Sequence, residues 1–336
     1  MNAPTALPVS HFAGVNLGHG HVKVQTSTRY FQYASITRPQ NRADDSSVAT
    51  FARAQVQRVQ VNGQPWVVGE QAALTGSGVD RAVFTNWGTS PVYAALRQSV
   101  VDRLAEEGLG PWVLMLGMPV AQFHDQRYRQ QLIASWQGKH ETPHGTFVVD
   151  RVGATPEPLG AFWHYVLTTP SGFDRVQESQ VLIVDLGYFT TDLNAVNRMV
   201  LNTGIGGSIN RGTRDIYRSI ANTLRETHSI TCTELEIEMA VLGKWPIRVR
   251  GAKLDLEPCL SNAARPLVGE LTRWIRDQAD VARGLIFVAG GGARYMTPAL
   301  REAFPVAEII QLPHPQQANA KGYFHMAQHL GVAETA

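Results

Sequence analysis

Residues 182–196, LIVDLGYFTTDLNAV, decide the fold of this chain. An apolar, β-branched strand ends at Asp185, turns at Gly187 and returns as a second strand. The same order recurs about half a chain earlier in residues 14–24, GVNLGHGHVKV, where a strand ends at Asn16, turns through glycine and returns. An internal repeat at this spacing predicts two similar domains that face each other across a cleft. The alternative is a coincidence between two ordinary hairpins.

The rest of the chain alternates strand and helix patterns, which predicts an α/β fold. The predicted strands are residues 15–17, 22–27, 30–36, 56–61, 66–68, 112–116, 146–152, 181–186, 193–196, 198–202 and 285–289. The predicted helices are residues 92–107, 123–136, 156–166, 208–226, 233–242, 265–283 and 319–330. The first three strands are typical of an antiparallel meander.

These elements group into two domains and a closing helix. The first domain is predicted over residues 11–172 and the second over 173–318, and a C-terminal helix within 319–336 returns to the first domain. A polar stretch begins an insertion at about 40–90, and Asn62-Gly63 inside it favours the tight turn of a β-hairpin.

Composition excludes several classes of protein. With 336 residues, the chain is longer than one small core needs. Lys and Arg number 30 against 28 Asp and Glu, so no broad positive field is present to hold nucleic acid directly. Two cysteines, Cys232 and Cys259, cannot build a disulfide framework and are typical of a cytoplasmic protein. The first ten residues lack a secretory pattern, and the longest apolar stretch, 111–121, is too short to cross a membrane.

The two glycine turns of the repeat have the features of a phosphate-binding site. A glycine turn exposes backbone N–H groups to an anion, and a carboxylate at the strand end can hold the water shell of a metal ion. The candidate contacts are Gly18, His19 and Gly20 in the first loop, Gly187, Tyr188 and Phe189 in the second, the hydroxyls of Thr190 and Thr191, and Lys23 as a point charge. The alternative for Lys23 is a solvated strand lysine.

Two further glycine clusters, residues 204–207 and 290–293, are predicted to lie where a strand passes into a helix. One such cluster is usually only a turn, whereas four in order along one chain favour a nucleotide site. The segment G-x-x-x-x-G-K-[ST] is absent from the sequence, which excludes the P-loop route to the same ligand.

Taken together, these motifs resemble those of the actin-like ATPase superfamily, which also holds the Hsp70 chaperones and sugar kinases. Residues 14–24 resemble its phosphate 1 motif, 182–196 its phosphate 2 motif and 285–300 its adenosine motif. The form of the first loop, NTGIGGSIN at 202–210 and PHPQQANAKGYFHMA at 313–327 are similar to the plasmid-segregation actins of the ParM/StbA type.

The resemblance implies two ribonuclease H-like domains of the actin/Hsp70 type that flank a nucleotide cleft. It further implies ATP or ADP with Mg²⁺ as cofactors, self-assembly into head-to-tail filaments, and DNA segregation through a small DNA-binding adaptor. By position, it makes Asp185 the carboxylate that holds the cation through water and Glu157 the residue that orients the attacking water. The candidate cofactor contacts carried over in this way also include Gly206, Gly207, Gly290, Gly291, Gly292 and Ala293. The alternative for Glu157 is a carboxylate that only stabilises a helix N-terminus.

One position departs from the family pattern. The first phosphate loop of the family begins with aspartate, whereas this chain has Asn16. An amide can still bond a metal-bound water, but it removes a negative charge from the cation site. We therefore expect ATP binding with slowed or altered hydrolysis.

Other readings remain open from the sequence. Residues 140–144, HETPH, match the H-E-x-x-H pattern of zinc proteases, but Pro143 opposes the helix which that pattern requires, so a loop without zinc is predicted. A small-molecule kinase of the same superfamily is one alternative function. A scaffold that holds nucleotide without hydrolysing it is another.

Overall fold

The computed structural model describes residues 11–40, 57–74, 87–278 and 284–332. Its strands are β1 (His11–Leu17), β2 (His21–Thr26), β3 (Tyr30–Ala34), β4 (Thr37–Pro39), β5 (Gln57–Val61), β6 (Gln64–Val68), β7 (Trp112–Met118), β8 (Gly138–Thr142), β9 (Gly145–Pro156), β10 (Gln180–Leu186), β11 (Thr191–Asn197), β12 (Val200–Ile209), β13 (Arg248–Val249), β14 (Ala252–Lys253), β15 (Leu285–Ala289) and β16 (Glu308–Gln311).

The helices are α1 (Gln71–Leu74), α2 (Pro91–Ala105), α3 (Val120–Phe123), α4 (Gln126–Trp136), α5 (Glu157–Thr168), α6 (Gly172–Gln177), α7 (Thr213–His228), α8 (Glu234–Val241), α9 (Glu257–Gln278), α10 (Ala293–Ala303) and α11 (Ala318–Val332). A short 3₁₀ helix spans Trp87–Thr89.

The predicted repeat is confirmed by the order of strands in two sheets. The first sheet runs β3-β2-β1-β7-β9-β8 and the second runs β12-β11-β10-β15-β16. In both, an opening strand pairs antiparallel with the next strand and parallel with a strand that arrives after a long crossover. The carboxyl ends of β1 and β10 are therefore equivalent positions in two copies of one unit, and ligands of open α/β sheets bind at such ends.

The predicted insertion forms a small sheet on the first domain. Strands β4, β6 and β5 pair in that order, and Asn62 and Gly63 turn between β5 and β6 with φ of 51° and 76°. The prediction of a tight hairpin at Asn62-Gly63 is therefore confirmed. Residues 41–56 and 75–86 of the insertion lie outside the described residues.

Several predicted elements differ from the observed ones. Residues 140–144 form the end of strand β8 and its turn into β9, and not a loop. The helix predicted from 208 begins at Thr213, because 208 and 209 still pair in β12. The helix predicted from 265 begins at Glu257 and accommodates Pro266 in its interior, and its predicted end lies outside the described residues. Strand β16 was not predicted.

The glycine cluster at 204–207 is the clearest error in the sequence prediction. It lies inside β12 and not at a junction between a strand and a helix. The pairing of β11 with β12 jumps from Asn194 opposite Gly206 to Ala195 opposite Asn202, so residues 203–205 bulge out of the ladder. Strand β12 is at the edge of its sheet, where bulges are common.

Helix α5 follows the first sheet in the chain but packs under the second, and helix α11 follows the second sheet but packs under the first. Helix α5 packs its apolar face, including Phe162 and Tyr165, under the second sheet against Phe287. Helix α11, at the C-terminal end of the chain, packs under the first sheet, and its Tyr323 and Ala327 join Met115 of β7 in one cluster. A boundary at residue 172 thus separates α5 from the sheet that it covers.

These two helices touch each other through glycine. A Cβ atom at Gly322 of α11 would overlap with the backbone of Gly160 in α5, and one at Gly14 of β1 would overlap with the backbone of α11. Such close approach of backbones is possible only without side chains at these positions.

We expect Gly322→Ala to destabilise the protein strongly, by about 1–3 kcal/mol or more, because the neighbour that must move is backbone. Gly269→Ala is the matched control, since Gly269 also lies in a helix but a Cβ there would meet nothing within 4 Å. The control should be neutral or more stable by roughly 0.5–1 kcal/mol, in line with the higher helix propensity of alanine. Urea unfolding measures both, and equal stability of the two variants would contradict this account of the helix crossing.

Candidate functional site

The turns of the two repeated hairpins meet across the cleft between the domains. Gly18 and Gly20 lie in the turn after β1, and Gly187 and Tyr188 lie in the turn after β10. A Cβ atom at Gly20 would overlap with the side chain of Tyr188, so the loops are in direct contact. The sequence predicted this juxtaposition.

A cavity of about 70 Å³ lies between these loops. Eleven of the predicted site residues line it: Asn16, Gly18, His19, Gly20, Lys23, Glu157, Asp185, Gly187, Tyr188, Thr190 and Gly291. Phe189, which the sequence also singled out, lines it as well. Residues from four separate parts of the chain are therefore brought to one place.

The other predicted residues lie behind or away from this cavity. Thr191 is fully buried, and its hydroxyl donates to the carbonyl of Arg211 at 2.8 Å. Gly206 and Gly207 lie in β12 opposite Asn194 and Leu193. Their assignment to a phosphate contact has no support from this position.

Gly290, Gly292 and Ala293 do not line this cavity: Ala293 is fully buried, and Gly290 lines the neighbouring cavity described next. Gly290 has a φ of 86°, and a Cβ there would overlap with the carboxylate of Asp185. A Cβ at Gly292 would overlap with Leu186. These glycines therefore let the turn after β15 approach the end of β10.

A second cavity of about 300 Å³ adjoins the first, and both are lined by Tyr217, Leu242, Gly291 and Gln316. Its remaining lining includes Arg294 and Tyr295, and the Arg294 guanidinium lies 4.6 Å from the centre of the Tyr295 ring. Flat aromatic and guanidinium groups favour a planar ligand group by stacking. Sequence reasoning did not single out Tyr217, Arg294 or Tyr295, because nothing in a lone tyrosine or arginine marks it as a ligand contact.

Glu157 and Asp185 line the first cavity, and the buried carboxyl group of Asp192 lies close enough to interact with both. Burial, together with the charges of Asp192 and Asp185, raises the pKa of Glu157 well above its usual range. Burial also raises the pKa of Asp185, and it raises the pKa of Asp192 to about 6. The positive charge of Lys23 opposes the shifts at Glu157 and Asp185.

Asp192 was missed by the sequence reasoning, although it ends the run Thr-Thr-Asp in the decisive stretch. It is 1% exposed and accepts bonds from the amide of Val120 at 2.9 Å, the hydroxyl of Thr190 at 2.8 Å and the hydroxyl of Ser208. Val120 begins α3 in the first domain, so this carboxylate also links the two halves of the cleft.

Asn16 stands beside this cluster at the end of β1. It is 3% exposed, lies opposite Lys23 in the β1–β2 ladder, and its side chain is within hydrogen-bonding reach of the Tyr323 hydroxyl. That hydroxyl also donates to the carbonyl of Glu157 at 2.9 Å. The neutral amide therefore fills the place where a further carboxylate would face the other three.

Aromatic rings contact each other across the cleft at the two hairpin turns. The ring of His19 lies 4.5 Å from Trp87 and 5.0 Å from Phe189, measured between centroids. The Trp87 indole donates to the carbonyl of Leu17 at 2.8 Å, which fixes it against the end of β1. Because Phe189 belongs to the second domain, the stack holds the two loops together.

The cleft is also bridged above the loops. The small sheet of the insertion packs Ile36 and Val67 against Leu235 and Met239 of α8. The ammonium of Lys244 lies 2.8 Å from the Glu70 carboxylate. These contacts join the insertion of the first domain to the second domain.

The donor set fits a hydrated cation and does not form a direct metal cage. Within the described residues, no group of three or more His, Cys, Asp or Glu side chains is placed to hold a metal ion directly. Mg²⁺ keeps several waters and uses one or two carboxylates plus phosphate oxygens, and the clustered carboxylates here would be stabilised by such a charge.

None of the helices in the described part of the chain is long and apolar enough to span a membrane.

Two family models match the chain and between them span most of it. The model for the N-terminal domain of actin-like proteins matches residues 14–160. The model for the C-terminal domain of the archaeal MreB-like actin homologues matches residues 183–302. No curated protein sequence matches the chain significantly.

Solved structures share the fold at low sequence identity. The archaeal actin homolog Ta0583, in complex with ADP, is 17% identical with a TM-score of 0.75, over 94% of this chain and 99% of its own. The apo form of the pSK41 ParM protein is 17% identical with a TM-score of 0.70, over 97% and 99%. A 15-stranded ParM filament from Clostridium botulinum is 17% identical with a TM-score of 0.71, over 95% and 99%.

The carboxyl cluster predicts an unusual dependence of stability on pH. The folded protein keeps protons that the unfolded chain releases, so its stability should fall as the pH rises from about 4 through the raised pKa values, such as about 6 for Asp192. Glu157→Gln removes one of the repelling charges. We expect it to stabilise the ligand-free protein at pH 8 by on the order of 1 kcal/mol, or roughly 2–4 °C in melting temperature.

Melting curves between about pH 4.5 and 8 measure this effect, since they span the raised pKa values. Glu178→Gln, at an exposed position, is the control and should leave the pH dependence of the melting temperature unchanged. If the melting temperature of Glu157→Gln falls between about pH 4.5 and 8 by as much as that of the wild type, repulsion by the Glu157 charge is contradicted.

Proposed function

Since this chain belongs to the actin-like proteins, we propose that it is an ATPase whose nucleotide cycle drives assembly into filaments, and that these filaments segregate DNA. The observation that carries the proposal is the cleft itself. Two copies of one hairpin bring glycine turns, Lys23, Asp185 and Glu157 around a single cavity, next to a second cavity with flat stacking groups. Phosphate and nucleoside are the ligand parts that suit these two cavities.

In the proposed complex, the adenosine group occupies the 300 Å³ cavity between Tyr217, Arg294 and Tyr295, beside Gly291. The phosphates extend from there toward the hairpin turns, where the Thr190 hydroxyl and the Lys23 ammonium line the smaller cavity. Backbone N–H groups of glycine turns bind such anions, and a lysine adds charge without a fixed geometry.

Asp185 would hold hydrated Mg²⁺ through water, with Asn16 on the opposite hairpin as a neutral neighbour. When bound, this cation neutralises negative charge on the phosphates. Glu157 lines the cavity at the start of α5, and its raised pKa brings it closer to the range in which a carboxylate accepts a proton from water efficiently. We assign to it the orientation of the attacking water.

Nucleotide binding must move the two domains. The cavity between the hairpin turns is only about 70 Å³, and the turns are in contact with each other. The contact between Gly20 and Tyr188 and the stack at His19 therefore have to open before phosphates enter. A change of this kind can carry the nucleotide state to the rest of the molecule.

Exposed apolar groups support self-assembly. Among the described residues, six large apolar side chains are exposed. Five of them lie just before or at the start of a strand, or near the end of α5, and so at the end of the sheets opposite the cleft: Leu109, Leu167, Phe173, Val200 and Val306. These side chains are the candidate contacts for self-assembly that the Glu variants below test. The net charge of +2 gives no field for direct DNA binding, so DNA attachment is assigned to an adaptor protein.

Asn16 favours a second candidate, a filament that holds ATP without hydrolysing it. Loss of one carboxylate from the cation site weakens the charge that positions Mg²⁺, while the adenosine cavity and glycine turns are unaffected. Turnover measurements separate this candidate from the first.

Sedimentation with ATP, ADP or no nucleotide, in the presence of Mg²⁺, tests the proposal. We expect pelleted filaments with ATP and phosphate release in the same tubes. Phe173→Glu combined with Val306→Glu should abolish the pellet and leave nucleotide affinity unchanged, because both side chains are exposed and far from the cleft. Gln130→Glu combined with Gln131→Glu adds the same two charges at exposed polar positions of α4 and serves as the surface control.

The outcomes discriminate between the functions. Filaments without phosphate release favour the non-hydrolysing scaffold. Nucleotide binding with no pellet under any condition contradicts filament assembly and favours a kinase of the same superfamily. If the double variant at Phe173 and Val306 still forms a pellet, the end of the sheets opposite the cleft is not part of the filament interface.

Asn16→Asp tests the role of the missing carboxylate. We expect turnover to rise about tenfold, which corresponds to about 1.4 kcal/mol in the barrier, and less Mg²⁺ to be needed for it. Asn197→Asp makes the same chemical change at an exposed position and serves as the control. Phosphate release across a Mg²⁺ series measures both variants, and turnover equal to that of the parent would rule out Asn16 as the cause of slow hydrolysis.

A further inference from the structure

Helix α11 brings two side chains, Asn319 and Tyr323, to the carboxyl cluster. Asn319 is 3% exposed and Tyr323 is fully buried, and both side chains lie among the site residues. We infer that Asn319 and Tyr323 are positioning residues that set Asp185 and Glu157 for the bound nucleotide and tie their placement to the angle between the domains. This inference rests on the proposed function and deepens it.

Asn319 uses both ends of its amide. Its Nδ2 donates to Oδ2 of Asp185 at 2.6 Å, and its Oδ1 accepts from the amide of Ala161 at 3.1 Å. A carboxylate can only accept from the NH₂ group and a backbone amide can only donate to the oxygen, so one orientation of the side chain satisfies both partners. Asp185 is thereby held in one rotamer at the end of β10.

Tyr323 holds the other carboxyl group through the backbone. Its hydroxyl donates to the carbonyl of Glu157 at 2.9 Å, while its ring lies against Gly117 and Gly160. The carbonyl of residue 157 and the amide of residue 161 are the two groups that a regular α-helix joins to each other. Side chains of α11 contact both, so the first turn of α5 is held from the neighbouring helix.

The packing of α11 explains why this arrangement couples the site to domain motion. Helix α11 is seated on the first sheet, where Gly14 gives it room and Arg151 donates to the carbonyls of Leu330 and Gly331. Asp185 and α5 belong to the second sheet. A rotation of one domain against the other therefore changes the positions that Asn319 and Tyr323 impose on the carboxyl groups.

The two residues make separable predictions. Asn319→Ala leaves Asp185 without its orienting donor, so the Mg²⁺ concentration needed to strengthen ADP binding should rise about 10–100-fold, as for other outer-shell partners of metal sites. ADP affinity in EDTA should stay at the wild-type value. Tyr323→Phe keeps the ring and should leave ADP and Mg²⁺ binding unchanged, while ATP turnover falls about tenfold.

Calorimetric titration of ADP in EDTA and over a Mg²⁺ series measures the first effect, and phosphate release measures the second. His329→Ala, an exposed position on the same helix, is the control. Should Asn319→Ala fail to fold, Asn319→Ser keeps a hydroxyl for one of the two bonds and should show a smaller shift in the same direction.

An unchanged Mg²⁺ requirement in the folded Asn319 variants overturns the inference and leaves the proposed ATPase intact. If Mg²⁺ does not change the affinity of the wild-type protein for ADP, both the proposed cation site and this inference are contradicted. A general loss of ADP affinity in EDTA, equal to the loss in Mg²⁺, shows a structural role for Asn319 and also overturns it.

Discussion

Three carboxyl groups in one cleft are the constraint on which the rest of this structure depends. Asp185 and Asp192 are almost fully buried, and Glu157 joins them at the cavity wall. Burial raises the pKa of all three groups, and neighbouring carboxylates raise the pKa values of Glu157 and Asp192 further. The positive charge of Lys23 opposes the shifts at Glu157 and Asp185. Such a cluster is costly unless hydrogen bonds, protons or a cation compensate it. A bound cation with its phosphates would add to the compensation that already comes from bonds donated by Asn319, Val120, Thr190 and Ser208.

The same bonds hold the two domains together. Asp185 is bonded from a helix seated on the first sheet, and Asp192 is bonded by the amide of Val120 in the first domain. These bonds can form because α5 packs on the second sheet and α11 packs on the first, although each follows the other sheet in the chain. The close contact at Gly160 and Gly322 then lets the two helices cross within reach of the site. The contacts between the two domains and the candidate site therefore share residues.

Much of this could be predicted from the sequence, because the hairpin repeat carries its own signal. Strands of β-branched residues that end in a polar residue and a glycine predict both sheets, and the equivalence of the two copies predicts that Gly18 and Gly187 face each other. The glycines at 204–207 show the limit, since a bulged edge strand and a phosphate loop use the same residue type. Asp192 and Asn319 show another limit. Each is one polar residue in an amphipathic pattern, and only the three-dimensional fold shows that the two enter one cluster.

The effect of an amide at position 16 depends on the carboxyl groups around it and not on the loop in which Asn16 lies. An aspartate there would add a fourth carboxyl group within reach of Tyr323 and close to Glu157, whose carbonyl accepts from the same hydroxyl. In the ligand-free protein that charge would repel its neighbours, whereas with a cation present it would attract the ion. The amide removes the repulsion and the attraction together, so the ligand-free cleft can close with its hairpin turns in contact. Under the proposed function, Asn16 would therefore favour a closed ligand-free cleft and weaken the attraction for a cation.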